Sequence, residues 1–140
     1  MPNYLEEYLY RKRQCVYSKE CCDEVKSSCK EAKNLFNALP PNSAERRSAQ
    51  YVYISLRKDY RDALEDYMDV IRYAEDAKTE AAIARVAART PYDHWSLYFA
   101  FRDRADPDLA SYKVLKANEV KLAIAEITEE YDGGYDDDGY

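Results

Sequence analysis

The sequence predicts an all-α protein built on a long antiparallel helical hairpin. Only three glycines and five prolines occur in 140 residues. Apolar side chains recur at alternating spacings of three and four over two long stretches, which places them along one side of a helix. Two shorter helices are predicted to follow as a broken third rod. The expected architecture is an elongated bundle of three to four helices with a disordered acidic C-terminal tail.

The first helix is predicted over residues 3–39. Asn3 can cap it, Glu6 supplies the acid of a capping box, and nothing interrupts the segment before Pro40. The apolar spacing defines a heptad seam of the coiled-coil type, weakened by two polar positions. The seam residues are Tyr4, Tyr8, Arg11, Cys15, Ser18, Cys22, Val25, Cys29, Ala32, Phe36 and Leu39.

The second helix is predicted over residues 44–89, after the turn "PPNS" with Asn42 or Ser43 as its cap. A connection this short makes the two helices antiparallel neighbours. Four side chains widen the apolar stripe toward a third partner: Val52, Leu64, Met68 and Ile71. Its own seam consists of Ala49, Tyr53, Leu56, Tyr60, Ala63, Tyr67, Val70, Ala74, Ala77, Ala81, Ala84 and Ala88. The centre of the hairpin is expected to pack Cys15, Cys22, Val25, Cys29 and Phe36 against Tyr53, Leu56, Tyr60, Tyr67 and Val70.

Two shorter helices are predicted after Thr90. Pro91 is expected at the first position of the third helix, with Asp93 as its N-terminal acid. The run "WSLYFAF" is apolar on all sides and therefore predicts a buried helix. Asp106 and Pro107 then give the start signal of a fourth helix that runs from about 107 to 130. Its expected buried residues are Leu109, Tyr112, Leu115, Val120, Ala123, Ile124 and Ile127.

Residues 1–130 are predicted to form one helical domain, and residues 131–140, "YDGGYDDDGY", a tail without periodicity. The net charge is −6, and seven acids with no base follow Ala125. The tail is expected either to bind a basic groove of a partner or to act only as a solubilising segment. Its candidate partner-binding residues are Tyr131, Asp132, Tyr135, Asp136, Asp137, Asp138 and Tyr140.

All four cysteines lie between positions 15 and 29. Cys15, Cys22 and Cys29 are seven residues apart, so on one helix neighbours lie about 10 Å apart along the axis. A disulfide needs Cα atoms within roughly 7 Å, so these pairs cannot bridge within the chain. They are expected to be small core residues. The alternatives are cysteines that meet across a symmetric interface, and a non-helical cysteine-rich scaffold.

The sequence argues against several classes of enzyme. His94 is the single histidine, whereas ferritin-like di-iron bundles need a Glu-x-x-His on two helices. The three glycines, Gly133, Gly134 and Gly139, leave no phosphate-binding loop or nucleophile elbow for a Cys–His hydrolase. The sequence contains no C-x2-C pair of the kind that holds a structural zinc ion. We therefore expect no catalytic residue, cofactor or metal, and a His94 that bonds a neighbour such as Asp93.

Fifteen tyrosines are the unusual feature of the composition. Several fall outside the seams, at positions 10, 17, 51 and 73, where exposed tyrosine is typical of protein interfaces. Acids and bases interleave along the second helix, which predicts a solvated, self-paired surface. No apolar run is long enough for a membrane span, and the acidic N-terminus does not resemble a secretory signal peptide. A cytoplasmic location is expected, or the virion if the protein is virus-encoded.

These features favour a non-enzymatic assembly or adaptor protein, such as a virus-encoded structural or regulatory component. It would self-associate, as a homo-oligomer, or bind a protein partner through tyrosine-bearing helix faces and the acidic tail. Direct nucleic-acid binding is not expected, because the body is near neutral and the tail is acidic. Two alternatives stay open: an acidic nucleic-acid mimic that inhibits a DNA- or RNA-binding protein, and a thiol-based redox or metal-binding helical protein.

Overall fold

The protein is all-α, as the sequence predicts. The computed structural model describes residues 3–103 and 111–132. These residues form four helices, α1 Tyr4–Ala38, α2 Ala44–Arg89, α3 His94–Arg102 and α4 Ser111–Tyr131. Both long helices lie within one residue of their predicted limits. Helix α1 continues through Cys21 and Cys22 without a break, so the helical reading of the cysteine segment is confirmed.

Short polar side chains begin both long helices. The Glu6 N–H donates to Asn3 Oδ1 at 3.1 Å, so Asn3 is the predicted cap of α1. The Arg46 N–H donates to Ser43 Oγ at 3.1 Å, which identifies Ser43 as the cap of α2. Asn42 takes a φ of 67°, in the left-handed region that asparagine tolerates better than most residues. This turn reverses the chain between α1 and α2.

Helix α3 starts later than predicted. Asp93 is its N-cap and accepts a hydrogen bond from the Ser96 N–H at 2.8 Å. Pro91 therefore lies before the helix, because the carboxylate of Asp93 satisfies the first free amides. Hydrogen bonds from the Ser96 backbone and hydroxyl lower the pKa of Asp93. The predicted start of α4 at Pro107, and Leu109, lie outside the described residues, and α4 ends at Tyr131, one residue into the predicted tail.

The chain divides into two compact units. Unit 1 is Met1–Leu9 with Glu75–Tyr140, and unit 2 is Tyr10–Ala74. Helices α1 and α2 each contribute residues to both units. A single helical domain over residues 1–130 stays a prediction.

Unit 1 holds a close-packed core. Its α2 segment presents alanines, and the large ring of Tyr8, only 3% exposed, packs in the same cluster as Ala77 and Ala81. Large side chains beside small ones fill the space between helices. Helix α3 contributes Leu97. The buried cluster is Tyr8, Ala77, Ala81, Ala82, Ile83, Val86, Leu97, Val120, Ala123 and Ile127.

Two burial predictions for the short helices were wrong. Trp95 and Phe99 are 62% and 41% exposed, because the nine-residue α3 buries only the side that carries Leu97 and Ala100. On α4, Tyr112 and Leu115 are 51% and 61% exposed. The covered stripe of α4 lies nearer its C-terminus, where Val120, Ala123 and Ile127 repeat at spacings of three and four.

Charged side chains enclose the unit 1 core. The Tyr8 hydroxyl donates to the Asp132 carboxylate at 2.7 Å, and Lys78 Nζ pairs with the same carboxylate at 2.6 Å. The Arg89 hydrogen bond lowers the pKa of Glu126, with Arg85 as a second donor. A hydrogen bond to Glu130 raises the pKa of Arg85. These pairs hold the end of α4 against α2.

Candidate interaction surface

Unit 2 is the predicted antiparallel hairpin. The Cys15 thiol donates to the Val70 carbonyl oxygen at 3.5 Å. Nearer the turn, the rings of Phe36 and Tyr53 stack with centroids 6.3 Å apart. The Arg46 guanidinium donates to the Leu39 carbonyl at 2.9 Å. These contacts place the seam of α1 opposite the seam of α2, as the apolar spacing indicates.

The seam of unit 2 is less buried than expected. Within residues 10–74, all of which the structure describes, only Cys22 and the three alanines at positions 32, 49 and 74 are buried. Two helices enclose only the narrow line between them, so larger seam side chains keep one edge open. The half-buried seam residues are Arg11, Cys15, Ser18, Val25, Cys29, Phe36, Leu39, Tyr53, Leu56, Tyr60, Ala63, Tyr67 and Val70.

Large apolar side chains flank this seam in the open. Val52, Leu64 and Met68, which widen the stripe in the sequence, are 55%, 38% and 56% exposed, and Ile71 is half-buried. Val16, Leu35 and Ile54 are 51%, 58% and 52% exposed, although no sequence pattern indicated it. Isolated surface hydrophobics are ordinary, whereas many on one unit indicate a contact surface. The exposed set is Tyr10, Val16, Tyr17, Leu35, Tyr51, Val52, Ile54, Leu64, Met68 and Tyr73.

A shallow groove runs along one side of the hairpin. Ala32 and Ala49 form its buried floor, and Leu35 and Val52 rise from α1 and α2 as its exposed walls. Ser28, Glu31 and Leu56 complete the lining. Small residues between larger apolar ones leave space for a side chain from another molecule.

The tyrosines outside the seams are surface residues. Tyr17, Tyr51 and Tyr73 are 66%, 77% and 54% exposed. The Arg11 guanidinium lies 5.6 Å from the centre of the Tyr73 ring. A hydrogen bond with the Cys21 thiol raises the pKa of Tyr17. Exposed tyrosine adds rigid contact area with a polar end, as interfaces require.

The cysteines contribute packing to this hairpin. All four lie in the described residues and none forms a disulfide; Cys22 is buried, and Cys15, Cys21 and Cys29 are half-buried. Among residues 3–103 and 111–132, no group of three or more His, Cys, Asp or Glu side chains is arranged to hold a metal ion. The contribution of the thiols to an assembly stays a prediction.

His94 has a different partner from the predicted one. Its Nε2 lies 2.9 Å from Glu80 Oε2, and its ring stacks on Tyr4 with centroids 5.4 Å apart. Asp93 instead caps α3. The side chains of Glu80 and Tyr4 come from α2 and α1, so His94 joins three helices of unit 1.

The predicted tail site is divided between described and undescribed residues. Tyr131 packs against the unit 1 core, and Asp132 accepts hydrogen bonds from Tyr8 and Lys78. Tyr135, Asp136, Asp137, Asp138 and Tyr140 lie outside the described residues. Tyr131 and Asp132 are therefore held by contacts within unit 1.

None of the helices in the described parts of the chain combines the length and the apolar character that crossing a bilayer requires.

No known protein family, curated protein or solved structure matches this chain. Its function is therefore inferred from the geometry of residues 10–74.

Proposed function

We propose that this chain is a non-enzymatic helical assembly protein whose unit 2 hairpin packs against another protein chain, in the first place a second copy of itself. The observation that supports this is the unequal burial of the two units. The four fully buried large side chains of the described residues, Ile83, Leu97, Val120 and Ile127, all belong to unit 1. In unit 2 the buried side chains are one cysteine and three alanines.

A helical hairpin with an exposed apolar stripe needs another layer. Stable helical domains bury the stripe of each helix against a neighbour. Contiguous exposed apolar surface on a soluble protein marks an interaction site. The proposal includes a cytoplasmic location, or the virion if a virus encodes the protein.

Mass in solution tests the proposal. Sedimentation analysis of the full chain at increasing concentration is expected to give a mass above the 16.3 kDa of one chain. The mass should be the same with and without reductant, because packing and not disulfide exchange holds the copies together. A mass of 16.3 kDa at every concentration would contradict self-association. A loss of mass on adding reductant would instead favour the thiol-based alternative.

Paired variants show which unit carries the contact. Val52→Glu with Met68→Glu adds charge to exposed apolar positions on both sides of the unit 2 seam and is expected to give a folded monomer. Leu115→Glu with Leu122→Glu, at residues that are 61% and 67% exposed on α4, is the matched control and should keep the wild-type mass. Equal loss of association in both variants would remove the assignment to unit 2.

The nucleic-acid mimic is kept as a second candidate, because four exposed aspartates follow one another on α2 at positions 59, 62, 66 and 69.

Deletion of residues 133–140 addresses the role of the tail and keeps Asp132 with its partners Tyr8 and Lys78. We expect the truncated chain to keep its helix content and its mass in sedimentation. Binding of an isolated partner protein that disappears on truncation would assign that partner to the tail. If the full chain competes with DNA for a DNA-binding protein and the truncated chain does not, the result would favour the nucleic-acid mimic.

A further inference from the structure

The charges that flank the seam of unit 2 interleave along the sequence, but acids and bases lie on two separate sides of the hairpin. In an antiparallel helix pair, one flank of each helix lies on one side of the seam and the second flank on the other. The groove shows which flanks share a side, because Glu31 and Leu35 of α1 line it together with Val52 of α2. Residues seven positions apart on a helix keep the same side.

We call the groove side the aspartate face. Asp59 and Asp66 follow Val52 at intervals of seven, and Glu24 precedes Glu31 by seven. The flank positions within 10–35 and 48–73 carry six acids and no base, and all six acids are exposed. Asp69 also pairs with Arg72 at 3.6 Å at the outer edge of this face. The acids are Glu24, Glu31, Asp59, Asp62, Asp66 and Asp69, accompanied by Tyr10, Tyr17, Leu35, Val52 and Tyr73.

We call the opposite side the lysine face. Its flank positions within 12–33 and 50–71 carry seven bases and a single acid, Asp23. Lys12, Lys19, Lys26 and Lys33 form a row at intervals of seven along α1, and Arg57 and Arg61 lie beside it on α2. The bases are Lys12, Lys19, Lys26, Lys30, Lys33, Arg57 and Arg61, accompanied by Val16, Ile54, Leu64, Met68 and Ile71.

We infer that two copies of this chain associate by packing the lysine face of one hairpin onto the aspartate face of the other, an inference that rests on the proposed function. The faces point in opposite directions on one hairpin, so they can meet only between molecules. If two copies packed through the same face, bases would meet bases or acids would meet acids, which is strongly unfavourable. The contact is therefore heterologous, and its repetition forms a ring or a filament.

Charge and apolar surface have separate roles in this contact. Val16 and Met68 on the lysine face are 51% and 56% exposed, and Leu35 and Val52 on the aspartate face are 58% and 55% exposed. Burial of these side chains supplies affinity, while the opposite charges around them set the orientation and speed the encounter. Because all of these charges except Lys12 are exposed, the association should weaken as salt is raised.

Charge reversal of each face tests the inference. Asp59→Lys with Asp66→Lys reverses the charge at the centre of the aspartate face, and Lys26→Glu with Arg61→Glu reverses it at the centre of the lysine face. Sedimentation velocity of each variant alone is expected to show association weakened by about tenfold or more. An equimolar mixture of the two variants should regain association, because each reversed face then meets its opposite.

Matched controls make charge reversals of the same kind at positions outside both faces. Glu20→Lys with Glu65→Lys, and Arg13→Glu with Lys58→Glu, change exposed residues on the outer sides of α1 and α2. These variants should associate as the wild type does. Circular dichroism of every variant verifies that the helices remain. A salt titration of the wild type from about 0.05 M to about 0.5 M tests the contribution of charge to association without any substitution.

The outcomes separate this inference from the proposed function. A wild type that associates, with face variants that associate equally well or an association insensitive to salt, would overturn the inference and leave self-association standing. Face variants that lose association without recovering it in the mixture would show that the two faces do not meet each other. A wild type that is monomeric throughout would overturn both proposals.

Discussion

Lys116→Glu is expected to lower the free energy of unfolding by about 3–5 kcal/mol, the range for a buried charge left without compensation. Lys116 is 6% exposed, and its Nζ lies 3.9 Å from the ring centre of Tyr112 and 4.5 Å from that of Tyr92. The faces of these rings are negative, so they stabilise an ammonium group and repel a carboxylate. Urea unfolding followed by circular dichroism measures the loss.

Two further variants separate charge from packing at this position. Lys116→Met keeps the aliphatic stem and removes the charge, so its loss should be clearly smaller than that of Lys116→Glu. Lys121→Glu makes the same change at an exposed position of the same helix and should alter stability by about 0.5 kcal/mol or less. Equal losses for the Met and Glu variants would show that the two tyrosines do not act on the charge.

Leu97→Ala is the second large effect, with an expected loss of about 2–5 kcal/mol. Leu97 is fully buried and is the residue through which α3 enters the unit 1 core. Its removal leaves a cavity in the buried cluster that includes Ile83 and Val120, which are also 0% exposed. A helix of nine residues is too short to be stable alone, so α3 should loosen first. Hydrogen exchange of the α3 amides reports this directly, and urea unfolding gives the total loss.

Leu122→Ala is the matched control for Leu97→Ala. Leu122 is 67% exposed on α4, so the same truncation there removes little buried surface and should leave stability nearly unchanged. If Leu97→Ala cost no more than Leu122→Ala, or if the α3 amides kept their protection, Leu97 would not be the anchor of α3.

The two units therefore call for different experiments. Unit 1 contains its own core, and its stability should respond to single truncations such as Leu97→Ala. In unit 2 the exposed stripe and the two charged faces are expected to act through association, so its variants should change mass in solution before they change helix content. A Tm that rises with protein concentration would link the two, because association stabilises the folded chain by mass action.

Several side chains could not be assigned their roles from the sequence. Tyr8 and Asp132 form a hydrogen bond although 124 residues separate them. His94 pairs with Glu80 and not with the adjacent Asp93, which caps α3. Such contacts depend on how helices far apart in the chain come together, and no local spacing indicates them. Lys116 would have been placed at the surface by its chemistry, since lysine is rarely buried without a partner.

The sequence by itself determined where the two long helices begin and end, because capping side chains, prolines and apolar spacing act within one or two turns. Asn3, Ser43 and the uninterrupted run through Cys21 and Cys22 are examples. The tertiary structure decided which apolar side chains are covered: the seam predicted as core is only half-buried in unit 2, because burial needs a neighbour on every open side. It also decided that acids and bases adjacent in the sequence lie on opposite sides of the hairpin, since the pairing of α1 with α2 sets which flanks share a side.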